Sequence, residues 1–126
     1  MNAPVRNGFV RPLVLAALAA ALLLPGAPLR GAETTAAEVT FDFYRTLAES
    51  GSPDAQLTLG DLYRDGEGVS ANLIEAYAWY YLAAQQGLEE AIQPMNDVLR
   101  ALPAAQWPKA RSLAEDYERR FVTAHP

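Results

Sequence analysis

Shifting the chain by 36 residues lays Tyr44 on Tyr80, Ala48 on Ala84, Gly51 on Gly87 and Ala55 on Ala91. A self-similarity of this period is the mark of stacked helix hairpins, in which each unit buries a face against the next. With 126 residues there is room for one domain, and with no cysteine the helices must hold together by packing alone. Every helix is then expected to cover a neighbour.

The elements follow from their punctuation. Thr35 with Glu38 three residues on forms a capping box, and the apolar positions Val39, Phe43, Tyr44, Leu47 and Ala48 recur at helical spacing up to Gly51, predicting a helix over roughly 36–50. Ser52 followed by Pro53 opens a second helix, with Ala55, Leu59, Leu62 and Tyr63 on one face, which stops at the turn Gly66-Glu67-Gly68. Asn72 with Glu75 reads as another capping box for a third helix ending at Gly87. That helix is apolar on nearly every side and belongs in the middle of the molecule. A fourth, over 89–101, brings Ala91, Ile92, Met95, Val98 and Leu99 and tolerates Pro94 because it falls near the start. The fifth, over 108–122, has the stripe Ala110, Leu113, Ala114, Tyr117 and Phe121 opposite charged residues, as a terminal capping helix should.

Ala55, Leu59, Gly60, Tyr63, Gly66, Gly68 and Val69, followed by Ala76, Trp79, Tyr80, Ala83, Ala84, Gly87 and Ala91, fall in a register that resembles the Sel-one-like repeat, a relative of the tetratricopeptide repeat. The likeness spans one complete repeat, 55–91, and reaches back toward Tyr44 as the second half of a preceding unit. Beyond Gly87 the chain departs from it, with Asn96 where Gly60 would recur, Leu99 in place of Tyr63 and no second Gly-x-Gly. The resemblance implies an all-α fold, a short α-solenoid of about five antiparallel helices, and a binding role on a helical groove with no chemistry or cofactor of its own. Independently, Gly60, Ala83 and Ala84 are small enough for close helix approach, and Tyr63, Trp79 and Tyr80 large enough to fill the space between.

The N-terminal residues have a different character. Arg6 and Arg11 precede the apolar run Leu13 to Leu24, which Pro25 and Gly26 close before the small residues Ala27, Gly31 and Ala32. This is the layout of a secretory signal peptide, expected over 1–32 with cleavage between Gly26 and Ala32 and a mature domain over 33–126. As a helix the run would reach about 18 Å, short of a hydrocarbon core of roughly 30 Å. No cysteine follows it to carry a lipid, so the expected destination is the periplasm or the exterior. From Glu33 onward 15 acidic residues outweigh seven basic ones, a net charge of −8. Such a surface repels phosphate backbones and anionic lipid, which argues against a nucleic-acid partner.

Catalysis has few starting points. The sole histidine, His125, is next to the last residue, and no serine occupies a Gly-x-Ser-x-Gly elbow. Asp61, Asp65 and Glu67 form an acidic cluster that would suit a small envelope glycan-acting enzyme, although acids before a Gly-rich turn are usually solvated surface. The spacing around them is not that of a calcium loop. Tyr77 and Tyr81 resemble an aromatic platform, with core packing the competing account. The favoured site is the back of the second helix: with Ala55 at the centre of the buried face, Leu57, Asp61 and Arg64 fall opposite and are expected to contact another protein. Replacing these three with alanine is expected to remove binding without affecting stability. A periplasmic inhibitor or immunity protein is a further reading of the same surface.

Overall fold

The computed structural model describes residues 33–124; the expected signal peptide over 1–32 and His125 lie outside them. Five α-helices follow one another: α1 (Ala36–Glu49), α2 (Pro53–Asp65), α3 (Leu73–Gln85), α4 (Ile92–Ala101) and α5 (Trp107–Tyr117). Short 3₁₀ turns at Glu89–Ala91 and Ala104–Gln106 lead into α4 and α5, and a π-helical turn, Glu118–Val122, extends α5. The 36-residue shift carries α1 onto α3 and α2 onto the segment of α4, so the repeat in the sequence is a repeat of helices.

Local chemistry sets the ends. Thr35 Oγ1 accepts from the Glu38 amide at 3.2 Å while the Thr35 amide donates to Glu38 Oε2 at 2.7 Å, a reciprocal cap. Ser52 caps α2 with Pro53 at its first position. Gly66 and Gly68 both take positive φ, 73° and 71°, and turn the chain tightly from α2 toward α3. A side chain on Gly68 would run into the backbone carbonyl of Ala37, so this turn also seats the start of α1. At α3 only half of the expected box forms. Asn72 Oδ1 accepts from the amides of Ile74 and Glu75, whereas the Glu75 carboxylate reaches across to Tyr117, whose hydroxyl donates to it at 2.9 Å and 3.0 Å.

As expected, α3 is the central helix, packed by α2, α4 and α5. Ala76, Ala78, Tyr80, Leu82 and Ala83 are fully buried. Tyr77 is only 6% exposed, which places it in the core with its neighbour Tyr81 packed alongside. Two apolar clusters meet on α3: one joins Tyr77 and Tyr80 to Val98, Leu102, Ala110 and Ala114, the other joins Trp79 and Leu82 to Phe41, Ala48, Ala55, Leu59 and Leu62. Trp79 packs against both Tyr117 and Phe121 at ring-centroid distances of 4.8 Å and 5.4 Å, so the end of α5 closes over the middle helix.

The apolar stripe read along α1 is only partly buried. Phe41 and Ala48 point inward, Tyr44 is half-buried, and Val39, Phe43 and Leu47 are 57%, 59% and 38% exposed. Ile92, read as part of the α4 stripe, is 43% exposed as well. In both helices the apolar positions spread over more of the circumference than the other described helices cover.

Candidate protein-binding surface

The end of α2 carries Leu57, Asp61 and Arg64. Leu57 is half-buried and packs on the cluster around Tyr77 and Tyr80 instead of standing free. Gly60 lets the Tyr80 ring lie directly on the α2 backbone, and this brings the buried phenol to the polar side chains. The Tyr80 hydroxyl donates to Asp61 Oδ1 at 2.6 Å and accepts from Arg64 Nη1 at 3.0 Å. Arg64 Nη1 also lies 3.1 Å from Asp61 Oδ1. Its Nε and Nη2 reach the two oxygens of Asp65 at 2.8 Å and 3.0 Å, a bidentate pair. The three charged side chains keep 39–44% of their surface exposed. They therefore face water while a buried hydroxyl fixes their geometry, so a partner meeting them has little side-chain entropy to remove.

That arrangement corrects the idea of a set of residues independent of folding. Asp61→Ala leaves the hydroxyl of a fully buried tyrosine without its acceptor, which costs about 1–3 kcal/mol. Leu57 packs on the core, so of the three residues only Arg64 can be removed with both that packing and the Tyr80–Asp61 bond kept. Three polar contacts escaped the sequence pattern. Gln56 is fully buried, its Nε2 donating to the Ala48 carbonyl at 3.1 Å and its Oε1 accepting from Gln86 at 2.7 Å, so it ties the ends of α1 and α3 together. The Tyr80 and Tyr117 hydroxyls were equally invisible, because each acceptor lies on another helix. A Gln on the same helical face as Ala55 and Leu59 was the one available signal.

The same geometry bears on acid–base chemistry. The hydrogen bonds from Arg64 hold the Asp65 carboxyl below its ordinary value, the opposite of what a proton-donating glycosidase acid needs. A shallow hollow between α3 and α5 is lined by Ile74, Lys109, Ser112, Leu113 and Asp116. It offers one carboxylate, which Arg119 and Arg120 already approach at 3.4 Å and 3.3 Å. Glu67 is exposed on the α2–α3 turn. Among the described residues no group of three or more His, Cys, Asp or Glu is placed to hold a metal ion.

Burial pushes the phenols of Tyr80 and Tyr117 well above their ordinary value of 10.0, and the carboxylates of Asp61 and Glu75 push each further. Their protonated forms are favoured by folding, so the associated stability is present in full below 10.0 and is lost as pH climbs from there toward the raised folded values. Helicity and phenolate absorbance followed through an alkaline titration should therefore change together for these two tyrosines. Ionisation of all tyrosines with the helicity intact would contradict the two hydrogen bonds.

Residues 53–88 match the model of the Sel1 repeat family, which covers α2, the Gly66-Glu67-Gly68 turn and α3. The chain is similar to an exopolysaccharide production negative regulator of Rhizobium leguminosarum bv. viciae, 34% identical over 65 residues, or 52% of this chain and 24% of that one. Its fold is similar to a crystal structure of a protective antigen of uropathogenic Escherichia coli strains displaying an SLR fold, with a TM-score of 0.67, 26% identity and 70% of this chain covered. This chain spans 19% of the antigen and about a quarter of the regulator. The α2–α3 hairpin is the segment that matches the Sel1 repeat, and the five-helix, all-α architecture resembles an SLR fold.

Proposed function

We propose that the protein is an exported interaction module, acting in the periplasm or outside the cell, that holds another protein against its helices. The observation that carries this reading is a division of labour on the repeat. Its family positions go to packing: Ala55, Leu59, Gly60, Ala76, Trp79, Tyr80, Ala83 and Ala91 are buried, and Gly66, Gly68 and Gly87 turn the chain with positive φ. The half-buried Tyr63 and Ala84 lie at the edges of that packing. The charged residues left over at α2 are ordered without converging on a cavity, and an ordered open surface suits recognition better than it suits catalysis. Export rests on the basic, apolar, small-residue order of the first 32 residues. Among the described residues no helix is long and apolar enough to cross a membrane.

The test is to express the full chain, crosslink in intact cells and pull it down from the periplasmic fraction, comparing wild type with Arg64→Ala. Exposed ion pairs contribute about 0–1 kcal/mol, so the variant should melt close to wild type. The expected result is a mature N-terminus between Ala27 and Glu33 and a specific partner whose retention falls with Arg64→Ala. Intact Met1 protein in the membrane fraction would refute export, and no retained partner would refute the interaction role. A carboxylate enzyme would instead show glycan turnover that Asp65→Asn abolishes.

A further inference from the structure

The outer face of α1 is built to be covered. Around a helix at about 100° per residue, Val39 and Leu47 lie within about 40° of Phe43, and Thr40 and Thr46 within about 60°. All are exposed. Both threonine hydroxyls are turned back onto the helix, Thr40 Oγ1 donating to the Ala36 carbonyl and Thr46 Oγ1 to the Asp42 carbonyl, each at 2.9 Å. What faces outward is thus a continuous strip of methyl groups and one phenyl ring, with no charged residue inside it. The 36-residue shift makes the same point. Phe43 falls on Trp79, which the aromatic rings of Tyr117 and Phe121 cover to 3% exposure, while Phe43 has no such cover.

Charge decides the occupant. One border of the strip carries Glu38, Asp42 and Glu49, all exposed, against the single Arg45, which pairs with Asp42 at 3.0 Å. In a two-fold antiparallel pairing of α1 with a second copy, like borders meet, setting these acids against themselves on domains of net charge −8 from Glu33 onward. Basic side chains along the same border would instead be matched. We infer that α1 docks an amphipathic helix of another protein, one with an apolar ridge at every fourth residue bordered by lysine or arginine. This rests on the interaction role proposed above and adds the surface and the chemistry of the partner.

The probe is a fluorescein-labelled, end-capped 18-residue peptide of leucine and lysine, with leucines spaced to form one helical ridge, and a scrambled peptide of the same composition. Anisotropy titrations against the mature protein should show binding to the patterned peptide at least about tenfold tighter than to the scramble, since charge alone cannot tell them apart. Val39→Ser/Phe43→Ser/Leu47→Ser should weaken it about tenfold or more, with the circular dichroism spectrum unchanged. Asp42→Asn/Glu49→Gln should weaken it severalfold and flatten its salt dependence. Glu90→Gln, an exposed acid on the turn into α4, should leave it unaltered. If the triple variant loses helicity, Phe43→Lys, on a side chain outside both core clusters, replaces it with the same expectation. Equal binding of both peptides, or of wild type and the α1 variants, overturns the inference. So does a wild-type dimer in sedimentation that the α1 variants dissolve, which would give the face to a second copy. A partner captured from periplasm equally by wild type and the α1 variants would overturn the α1 site and leave the interaction role standing. Loss of all capture by wild type would remove the role itself.

Discussion

Trp79→Ala should lower the melting temperature by on the order of 15–30 °C or leave the domain unfolded. The side chain is 3% exposed and packs against Tyr117 and Phe121 in the cluster that also holds Leu59 and Leu82. Truncating a buried aromatic costs about 3–5 kcal/mol against a total stability of about 5–15, and each kcal/mol moves the midpoint of a domain this size by about 4–8 °C. The cavity would open between α3 and α5, so the end of α5 should loosen first, which hydrogen exchange at Tyr117–Val122 reports. Trp79→Phe should be much milder. Among the described residues the buried indole N–H has no hydrogen-bond partner, so losing it forfeits no bond to them. A Trp79→Ala protein that melts within a few degrees of wild type would show that α5 does not close over α3.

Gly60→Ala should destabilise by about 1–3 kcal/mol, against the sign that helix propensity predicts. Alanine in place of glycine inside a helix ordinarily gains about 1 kcal/mol. Here the new Cβ would stand 2.5 Å and 2.6 Å from two ring carbons of Tyr80, and the ring cannot swing aside without giving up the hydrogen bonds of its hydroxyl to Asp61 and Arg64. Overpacking of a fixed ring outweighs the propensity gain. The cause is isolated by repeating the substitution in a Tyr80→Ala background, where Gly60→Ala should become neutral or stabilising. Chemical denaturation of the four proteins gives the coupling directly. Gly60→Ala melting at or above wild type would mean that α2 and α3 are not in close contact at this point.

The two substitutions also show how a repeat of helices divides its residues. Trp79 and Gly60 are both read from the sequence as structural, one large and one small, but their partners come from different helices and at different distances along the chain. Tyr80 comes from 20 positions later, and Tyr117 and Phe121 from roughly 40. The small residue matters only because a large one lies on it.

Five helices, their order and most of their ends were legible in the residues alone, because caps and turns are local: Thr35 with Glu38, Ser52 with Pro53, and the left-handed glycines Gly51, Gly66, Gly68 and Gly87 act within a few positions. The third helix, apolar on nearly every side, was also correctly picked out as the central one. Which apolar residues are covered was decided by the tertiary structure. Periodicity reports the angle of a residue about its own helix and says nothing of whether another helix stands there, so Val39, Phe43 and Leu47 recur with the same spacing as Tyr44 and Ala48 and yet lie exposed. Long-range polar partners were hidden for the same reason. The Glu75 carboxylate, three residues from its presumed cap, is held by Tyr117, and Asp61, spaced as free surface, accepts from a buried tyrosine on the next helix. Covering a face or satisfying a buried hydroxyl takes two segments, and a local pattern carries information about only one.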